Sequence, residues 1–499
     1  MRSVLAYPIA LAAVVATVSA APAIEVSGDV SGIWSTADSP FEVVGDLRVP
    51  PDSALVIEPG VEVDFRGAFW LVVDENALLT AVGTAENPIV FSSDPVGNPR
   101  GWRGIRLEGS RDPSTISHCN ISNALGRGEW PDRCGAIYAF ECNPIITHNY
   151  IHHNETFGGS AVYVYRTEGE ISYNRLLDNT TGWGGGGALR LFHSSPLVKG
   201  NIIMRNTSTS NGGGISSRYS NSVIEGNIIA NNYALLIGGA IYCRAGHTDM
   251  RNNTIYSNVA DSLGGGYGAR WLGHSTFTNN ILWNNRAPQG DELGLMTWEE
   301  FPCSLTTDFS TIRGGSGEAY LDPTCLLNYG PGNIEKSPRF VDTPSGDYSL
   351  RWGSPCIDTG DPTKQDPDGT TSDIGAIAFD QDVPAIVEFH PVNPPLVVPP
   401  EGGAVPHGAW IQSFSDTLLR LDAWSMAIKP NGKYHGPVVR RGNVRVAPGD
   451  SVGVEFTNLS VPRRAAPGTY KYVAYLGDFE TSTAIDSTYM VFEKLSSSD

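Results

Sequence analysis

Hydrophobic and polar residues alternate around a repeated pair of asparagines in the middle of the chain. In each copy an apolar residue stands three positions before the first asparagine, and another stands two positions after it. The first asparagines, spaced 25 to 27 residues apart, are Asn149, Asn174, Asn201, Asn227, Asn253 and Asn280; five positions after each come Asn154, Asn179, Asn206, Asn232, Asn258 and Asn285. A period in the twenties predicts a solenoid.

A cluster of glycines follows the second asparagine in the first five copies and is lost in the sixth. One copy therefore reads as strand, turn, strand, glycine-rich turn and strand. About 25 residues at roughly 3.3 Å per residue are enough for one three-sided coil. Leucine-rich repeats have a similar period, but they need a leucine consensus and a helical segment, and this chain has neither. The pattern therefore predicts a right-handed parallel β-helix.

The repeated asparagines and glycines are predicted to be structural rather than catalytic. Asparagine tolerates left-handed backbone angles and bonds to nearby main chain. Amides stacked on successive coils can also form a continuous ladder. Glycine permits a tight corner where a side chain would collide.

The strand after the glycine turn is the most informative surface for function. Its side chains alternate between the core and the outside, and Cys243 is expected to point inward as a buried free thiol. The outward residues on six successive coils are Tyr138 and Phe140, Tyr163 and Tyr165, Arg190 and Phe192, Ser216 and Arg218, Tyr242 and Arg244, and Gly268 and Arg270. An aromatic field is thus expected to run into a row of arginines.

This composition is typical of a binding face for an acidic polysaccharide. Sugar rings stack on exposed aromatic side chains, and arginine binds carboxylates through a bidentate fork. The predicted carbohydrate-binding residues are Tyr138, Phe140, Tyr163, Tyr165, Arg190, Phe192, Arg218, Tyr242, Arg244 and Arg270. The alternative is that the aromatic ladder only shields the sheet or docks a C-terminal domain.

Segments outside the repeat make the sequence resemble a known family. They are ALVIEPGVEVDF (54–65), LTAVGTAENPIVFSS (79–93) and GWRGIRLEG (101–109), with SPCIDTGDP (354–362) and SDIGAIAFD (372–380). Together with the repeat over roughly 119–285, they resemble the right-handed parallel β-helix repeat proteins of bacteria, which include NosD-like periplasmic proteins and pectate-lyase-like enzymes. The first three segments are similar to N-terminal coils of exported members, and the last two to a segment that closes many such helices. The resemblance implies the fold, which carries many activities.

The signatures of enzymes on this fold are not found in the sequence. There is no Gly-His-Gly of the polygalacturonase type and no Asp-Pro-His-Glu of the alginate epimerases. No acidic cluster repeats at coil spacing, as the calcium sites of pectate lyases would require. We therefore expect a non-catalytic protein that binds a glycan or builds the cell surface. A polysaccharide lyase assembled from scattered residues is the alternative, and a purely structural protein is the third.

Two polar clusters are candidate metal sites. His148, His152 and His153 are the densest titratable group, although no further ligand is evident and a solvated turn is the alternative. Asp361, Asp366, Asp368 and Asp373 have an oxygen-rich spacing that can bind calcium, although it departs from the EF-hand pattern. Calcium is thus the one candidate cofactor, and a polar capping turn is the alternative for these aspartates.

The C-terminal fifth of the chain lacks the repeat. Residues 384–400 are proline-rich and are predicted to be a linker. Beyond them, alternating segments such as SVGVEF (451–456) and TYKYVAYLG (469–477) are separated by turn signals, which suggests a small immunoglobulin-like β-sandwich. The predicted fold is therefore all-β: a signal peptide at 1–20, a right-handed parallel β-helix solenoid at 24–380, and a linker with a β-sandwich at 384–499.

The N-terminus and the charge bear on location and partners. Arg2 precedes a short apolar run that ends in Val18-Ser19-Ala20, which is typical of a secretory signal peptide. No other run is long and apolar enough to span a bilayer. The net charge of −19 argues against nucleic-acid binding. We expect a secreted protein, extracellular, on the cell surface or in the periplasm, whose partner is an extracellular or cell-wall polysaccharide.

The chain has seven cysteines, which in an exported protein suggests disulfides and leaves at least one thiol unpaired. Cys303 and Cys325 lie in one irregular region and are the favoured pair. Cys119, Cys134, Cys142 and Cys356 could also pair, and the sequence leaves their connectivity open.

Overall fold

The computed structural model describes residues 23–110, 113–126 and 135–497. The predicted signal peptide at 1–20 and Cys134 lie outside these residues. The described chain is all-β, with no α-helix among these residues. It divides into two compact units, with the boundary between Ala378 and Phe379.

The first unit is a parallel β-solenoid of about 11 coils, whose strands form three walls. The first wall contains Trp70–Val73, Gly104–Glu108, Ile137–Phe140, Val162–Tyr165, Leu189–Phe192, Ile215–Arg218, Leu293–Met296 and Tyr320–Leu321. The second contains Gly32–Trp34, Ala54–Ile57, Leu78–Val82, Thr115–Ser117, Ile145–Thr147, Glu170–Ser172, Leu197–Lys199, Asn221–Glu225, Ser304–Asp308 and Leu326–Tyr329. The third contains Glu62–Phe65, Ile89–Ser92, Cys119–Ser122, Tyr150–His152, Arg175–Leu177, Ile202–Met204, Ile228–Ala230, Thr254–Tyr256, Ile281–Trp283 and Thr311–Ile312.

Four longer strands belong to two walls each. Ile24–Asp29 and Phe41–Val49 run from the third wall into the first, and Ile241–Arg251 and Tyr267–Thr278 run from the first into the second. A short ladder before the glycine turn contains Leu125–Gly126, Glu155–Thr156, Thr180–Thr181, Thr207–Ser208, Tyr233–Ala234 and Val259–Ala260.

The core follows from in-register stacking of these walls. In the first wall Ile137 pairs with Val162, which pairs with Leu189 on the next coil. These inward side chains are fully buried in one continuous apolar core, together with Cys243. The predicted alternation of inward and outward residues is therefore confirmed.

Both predicted asparagine ladders are present. The Nδ2 atom of Asn227 donates to the Oδ1 atom of Asn253 at 3.0 Å, and the Oδ1 atom of Asn227 accepts from the Nδ2 atom of Asn201 at the same distance. The Nδ2 atom of Asn227 also donates to the carbonyl of Val198 at 2.9 Å. All six members of each ladder are buried.

The left-handed backbone angle, however, is not at the ladder asparagines. It falls one residue earlier, for example at His148 with φ 56° and at Asn252 with φ 51°. The N–H of the ladder residue itself donates to the amide of the next coil, as that of Asn227 does to the Oδ1 atom of Asn253 at 3.0 Å. The expectation that these asparagines adopt left-handed angles is wrong, and their amide chemistry alone explains their recurrence.

The glycine turns allow the coils to approach closely. A Cβ atom on Gly213 would lie 2.2 Å from the carbonyl oxygen of Gly239, and one on Gly239 would lie 2.4 Å from that of Gly265. A side chain at either position would therefore collide with the backbone of the next coil. This confirms the structural role predicted for the glycines.

A carboxylate replaces asparagine at the end of the second ladder. The backbone N–H of Asn285 donates to the Oε1 atom of Glu292 at 3.2 Å, and its Nδ2 atom donates to Oε2 at 2.5 Å. Glu292 is 3% exposed. Burial raises the pKa of this carboxyl to about 8, although the hydrogen bonds from Asn285 oppose the rise.

We expect Glu292 to make the stability of the protein depend on pH. Because its folded pKa lies above the ordinary value of 4.5, the folded state binds this proton more tightly than the unfolded state. Stability should therefore fall as the pH rises from about 4.5 to about 8. Glu292→Gln can still accept from Asn285 and should lose this part of the dependence. Urea unfolding from pH 5 to pH 9 measures the difference, and parallel curves for the two proteins would contradict it.

Residues 338–378 run along the outside of the solenoid. They begin with an antiparallel hairpin, Phe340–Asp342 and Asp347–Leu350, which encloses a 3₁₀ turn at Thr343–Ser345. Tyr348 packs on Leu177, Met204 and Ala230 of the third wall. Further on, the N–H of Asp361 donates to the Oδ1 atom of Asn279 at 2.7 Å. The segment that resembles a closing element therefore lies against the side of the coils.

The second unit contains two sheets that are consistent with the predicted β-sandwich. One has the strand order Ala385–Pro391, Gly403–Ser413 and Ser451–Val461; the other has Val397–Val398, Thr483–Lys494, Gly468–Asp478, Leu419–Ile428 and Tyr434–Val446. Val387 and Phe389 are buried in its core with Tyr472. Residues 385–391 are thus a core strand and not the predicted linker, because apolar residues outweigh the nearby prolines.

No disulfide bond joins any two of the described cysteines. The predicted bond between Cys303 and Cys325 is not formed, although the two residues lie side by side: the N–H of Cys303 donates to the Sγ atom of Cys325 at 3.4 Å. Across the described residues, no helix has the length and apolar character needed to cross a membrane.

Candidate functional site

The outer face of the first wall brings the predicted binding residues together. Strand pairing is in register, so residues from successive coils form two columns. The first outward row contains Tyr138, Tyr163, Arg190, Ser216, Tyr242 and Gly268, and the second outward row contains Phe140, Tyr165, Phe192, Arg218, Arg244 and Arg270. All ten predicted residues therefore lie on one face of six coils.

The tyrosines of the first outward row are not available for stacking on a ligand. Tyr138 and Tyr163 are each 2% exposed, and Tyr242 is 1% exposed. Tyr242 packs against Ile237 and Leu263, which belong to glycine turns. The prediction that these three rings are exposed is wrong, because neighbouring side chains cover this edge of the wall.

The aromatic residues of the second outward row remain half-buried. The ring centres of Phe140 and Tyr165 are 5.4 Å apart, as are those of Tyr165 and Phe192, and the rings are tilted by 45° and 40°. Each of these three residues is therefore only partly covered. They are the accessible aromatic part of the predicted site.

The arginines lie against aromatic rings of the same face. The guanidinium carbon of Arg190 is 4.8 Å from the ring centre of Tyr163 and 5.5 Å from that of Phe192. That of Arg218 is 5.4 Å from the ring centre of Tyr242. The buried tyrosines thus hold guanidinium groups in place through cation–π contacts.

Arg244 and Arg270 lie over tryptophans that are not among the ten predicted residues. The guanidinium carbon of Arg244 is 4.2 Å from the ring centre of Trp271, and that of Arg270 is 3.8 Å from the ring centre of Trp298. Trp298 is 44% exposed. The site therefore extends beyond the strand itself.

Trp271 belongs to a column of residues at the corner directly after the second outward row. His193 and Tyr219 precede it, and their rings stack with centres 4.8 Å apart. All three residues have left-handed backbone angles, with φ between 49° and 54°. The signal was present in the sequence, since an aromatic residue directly follows Phe192, Arg218 and Arg270. It was missed because only the alternating strand positions were considered.

The arginine row, defined as Arg190, Arg218, Arg244 and Arg270, carries positive charge without a paired acid. No ion pair joins any of them to a carboxylate within the described ranges. Among the residues that the structure describes, no hydrogen-bond acceptor meets the buried Nε atoms of Arg190, Arg244 and Arg270. Arg106, one coil before Tyr138 in the first outward row, has the same kind of buried Nε atom, but it forms an ion pair with Glu108.

The clustering has an electrostatic cost. Burial lowers the pKa of Arg218 to about 10; Tyr242 opposes this effect, and the three other arginines of the row add to it. Like charges in a desolvated position disfavour one another's charged form. An anion on this face would remove that penalty.

A glycine turn brings the backbone close to the first two arginines. A Cβ atom on Gly184 would lie 2.5 Å from the Nη1 atom of Arg190, and one on Gly185 would lie 3.0 Å from the Nη2 atom of Arg218. The preceding residue, Trp183, is 77% exposed. A large exposed ring therefore lies in the chain directly beside the turn that borders the arginine row.

The predicted calcium ligands accept hydrogen bonds from backbone and hydroxyl groups of their own segment. Asp361 and Asp368 each accept hydrogen bonds from the N–H and the hydroxyl of the threonine two positions later. Asp366 accepts from the N–H of Asp373 at 2.7 Å. Within the described ranges, no group of three or more His, Cys, Asp or Glu side chains is arranged to hold a metal ion. The alternative of a capping turn explains these contacts, and calcium binding stays a prediction.

The three histidines divide between two corners of the solenoid. His148 stacks between His118 and Tyr173, with ring centres 4.9 Å and 5.2 Å away. His152 and His153 have their Nδ1 atoms 2.8 Å apart. Burial, and next the charge of His153, lower the pKa of His152 to about 4. His148 and His153 are turn residues with left-handed backbone angles, whereas His152 ends a third-wall strand.

Comparison with protein families places these features in a known repeat. Residues 103–287 match the family model for a right-handed β-helix region. The match includes the six asparagine copies and the face from Tyr138 to Arg270. Comparison with curated proteins gave no match.

Proposed function

We propose that this protein, whose residues 103–287 match the family model for a right-handed β-helix region, is an exported protein that binds an acidic extracellular polysaccharide on the outer face of its first wall. The arginine row carries the proposal, because its four guanidinium groups share one face and lack carboxylate partners among the described residues. Carboxylates or sulfates of a glycan would supply the counter-charge. Net acidity of the whole chain restricts such binding to this local surface.

The geometry of the row favours a polymer over a small anion. Arg218, Arg244 and Arg270 are paired in register on three consecutive coils. Adjacent strands are about 4.8 Å apart, so the three charges form a line along the solenoid axis. An extended chain with regularly spaced acidic groups fits this line better than a single ion does.

The aromatic residues favour a sugar as the carrier of those acidic groups. The half-buried side chains of Phe140, Tyr165 and Phe192 continue the line of the arginines. Trp183 and Trp298 add exposed ring surface beside it. Amphipathic sugar rings can pack on such surfaces while their acidic groups bind arginine.

A polysaccharide lyase on the same face is the second candidate. The lowered pKa of Arg218 favours it, because a base that abstracts a proton must be able to lose its own. A pKa of about 10 still leaves the guanidinium mostly protonated at neutral pH. Binding is therefore the function that the site supports better.

The test is a calorimetric titration of the whole protein with oligomers of uronic acid, sulfated oligosaccharides and neutral oligosaccharides of matched length. We expect the acidic oligomers to bind and their affinity to fall as salt is raised. Equal affinity for neutral oligomers, or no binding at all, would contradict the proposal. Absorbance of unsaturated uronate is followed in parallel, and a rise proportional to the protein concentration would establish the lyase instead.

A further inference from the structure

Cys303 and Cys325 occupy equivalent places on neighbouring coils. Ser304 pairs in register with Leu326 at the start of two second-wall strands, which places the preceding cysteines side by side. The N–H of Cys303 is 3.4 Å from the Sγ atom of Cys325, and the Oγ1 atom of Thr297 is 3.4 Å from the same sulfur. In-register neighbours at the wall spacing are within the range of backbone separations that a disulfide spans.

We propose that Cys303 and Cys325 form a disulfide when the protein enters an oxidising compartment. The two thiols differ in access, which sets the order of events. Cys325 is partly exposed, whereas Cys303 is 1% exposed. A disulfide reagent can therefore reach Cys325 first, and Cys303 is placed to attack the resulting mixed disulfide.

The chemistry is thiol–disulfide exchange with a low-molecular-weight disulfide or an oxidoreductase as the oxidant. The Cys325 thiolate attacks the oxidant disulfide, forms a mixed disulfide and releases one thiol. Cys303 then loses its proton, attacks the Cys325 sulfur and releases the second thiol. Two cysteine thiols are oxidised, one disulfide is reduced, and the two protons are taken up by the released thiolates.

Burial raises the pKa of the Cys303 thiol to about 12, and the neighbouring Cys325 contributes to the rise. The second step should therefore be slow compared with the first. The bond would close a loop of 22 residues and join the last coils of the solenoid. Because the hydroxyl of Thr297 contacts the Cys325 sulfur, the bond would also restrict the motion of the turn that contains Trp298.

The experiment maps the linkage in the full chain. The folded protein is incubated with glutathione disulfide, alkylated with N-ethylmaleimide and cleaved with trypsin. The two cysteines fall on the separate peptides 287–313 and 314–336, each with one cysteine. We expect a linked pair, lighter by two hydrogens than the two thiol peptides together. Recovery of both peptides in alkylated form, or linkage of either one to a different cysteine, overturns the proposal.

A thermal measurement checks that the bond forms within the folded protein. Oxidised wild type should unfold about 3 °C above its reduced form, because the crosslink restricts the unfolded chain. Cys325→Ser should abolish this difference, whereas the control Cys356→Ser should keep it. A difference that persists in Cys325→Ser would refute the assignment. If Cys325→Ser fails to fold, the peptide map of the wild type decides alone. The proposal does not depend on glycan binding.

Discussion

Replacing Arg218, Arg244 and Arg270 together with glutamine is expected to abolish the preference of the protein for acidic over neutral glycans. Each arginine offers a charged donor to an acidic group, and a hydrogen bond to a charged group contributes about 1.5–3 kcal/mol. Losing three such contacts should weaken binding of an acidic oligomer by about 100-fold or more. Calorimetric titration of wild type and variant with the same oligomer measures the effect.

A matched control separates the local face from the net charge. Arg48, Arg205 and Arg251 are ion-paired with Asp74, Asp178 and Asp249, and changing these three arginines to glutamine alters the net charge equally. This control should bind acidic oligomers nearly as the wild type does. Equal losses in both triple variants would show that overall charge, and not the arginine row, governs binding.

The sequence predicted the walls and the rows because both depend on strict periods. Inward and outward positions alternate along a strand, and a nearly constant coil length stacks equivalent residues in register. Tyr163 and Arg190 were therefore placed next to each other correctly. Whether an outward row is buried depends on the conformation of the neighbouring turns, and the repeat spacing does not determine that conformation. Thus Ile237 and Leu263 bury Tyr242, and this could not be predicted from the strand pattern.

The sequence also understated the contribution of turns to the site. Trp271 and Trp298 lie over arginines, yet neither occupies one of the alternating outward positions of the first wall. Similarly, the prolines around 384–400 suggested a linker, whereas burial of Phe389 in the second core makes residues 385–391 a strand. In both cases tertiary packing overrode a local signal.

One physical difference separates the asparagine columns from the arginine column. Each asparagine has both a donor and an acceptor, so a stack of identical asparagines satisfies itself. Arginine has only donors, so a stack of arginines does not. The Nε atoms of Arg244 and Arg270 have no acceptor in the described part of the chain, while the amides of Asn227 and Asn253 bond to each other. In-register repetition therefore satisfies the hydrogen-bonding groups of the asparagine column internally. The same repetition leaves the arginine column with donors that only an external acceptor can satisfy.

Replacing Asn227 with leucine is expected to destabilise the solenoid by about 3–5 kcal/mol. Leucine is close to asparagine in shape, so the loss comes from hydrogen bonds rather than from a cavity. The N–H and Nδ2 groups of Asn201 would lose their shared acceptor, and the carbonyl of Val198 would lose its donor. Each buried unsatisfied group costs about 1–3 kcal/mol.

Urea unfolding of Asn227→Leu measures this cost, and Asn328→Leu is the control. Asn328 is an exposed asparagine of the same unit, and a surface change of this kind usually alters stability by less than about 0.5 kcal/mol. Because Asn227 lies in a corner away from the arginine row, the folded fraction of Asn227→Leu should bind acidic oligomers with wild-type affinity. An unchanged free energy of unfolding would show that the ladder amides contribute no net stability. A loss of affinity in the folded fraction would instead show that the asparagine ladder, by aligning the coils, determines the positions of the arginines.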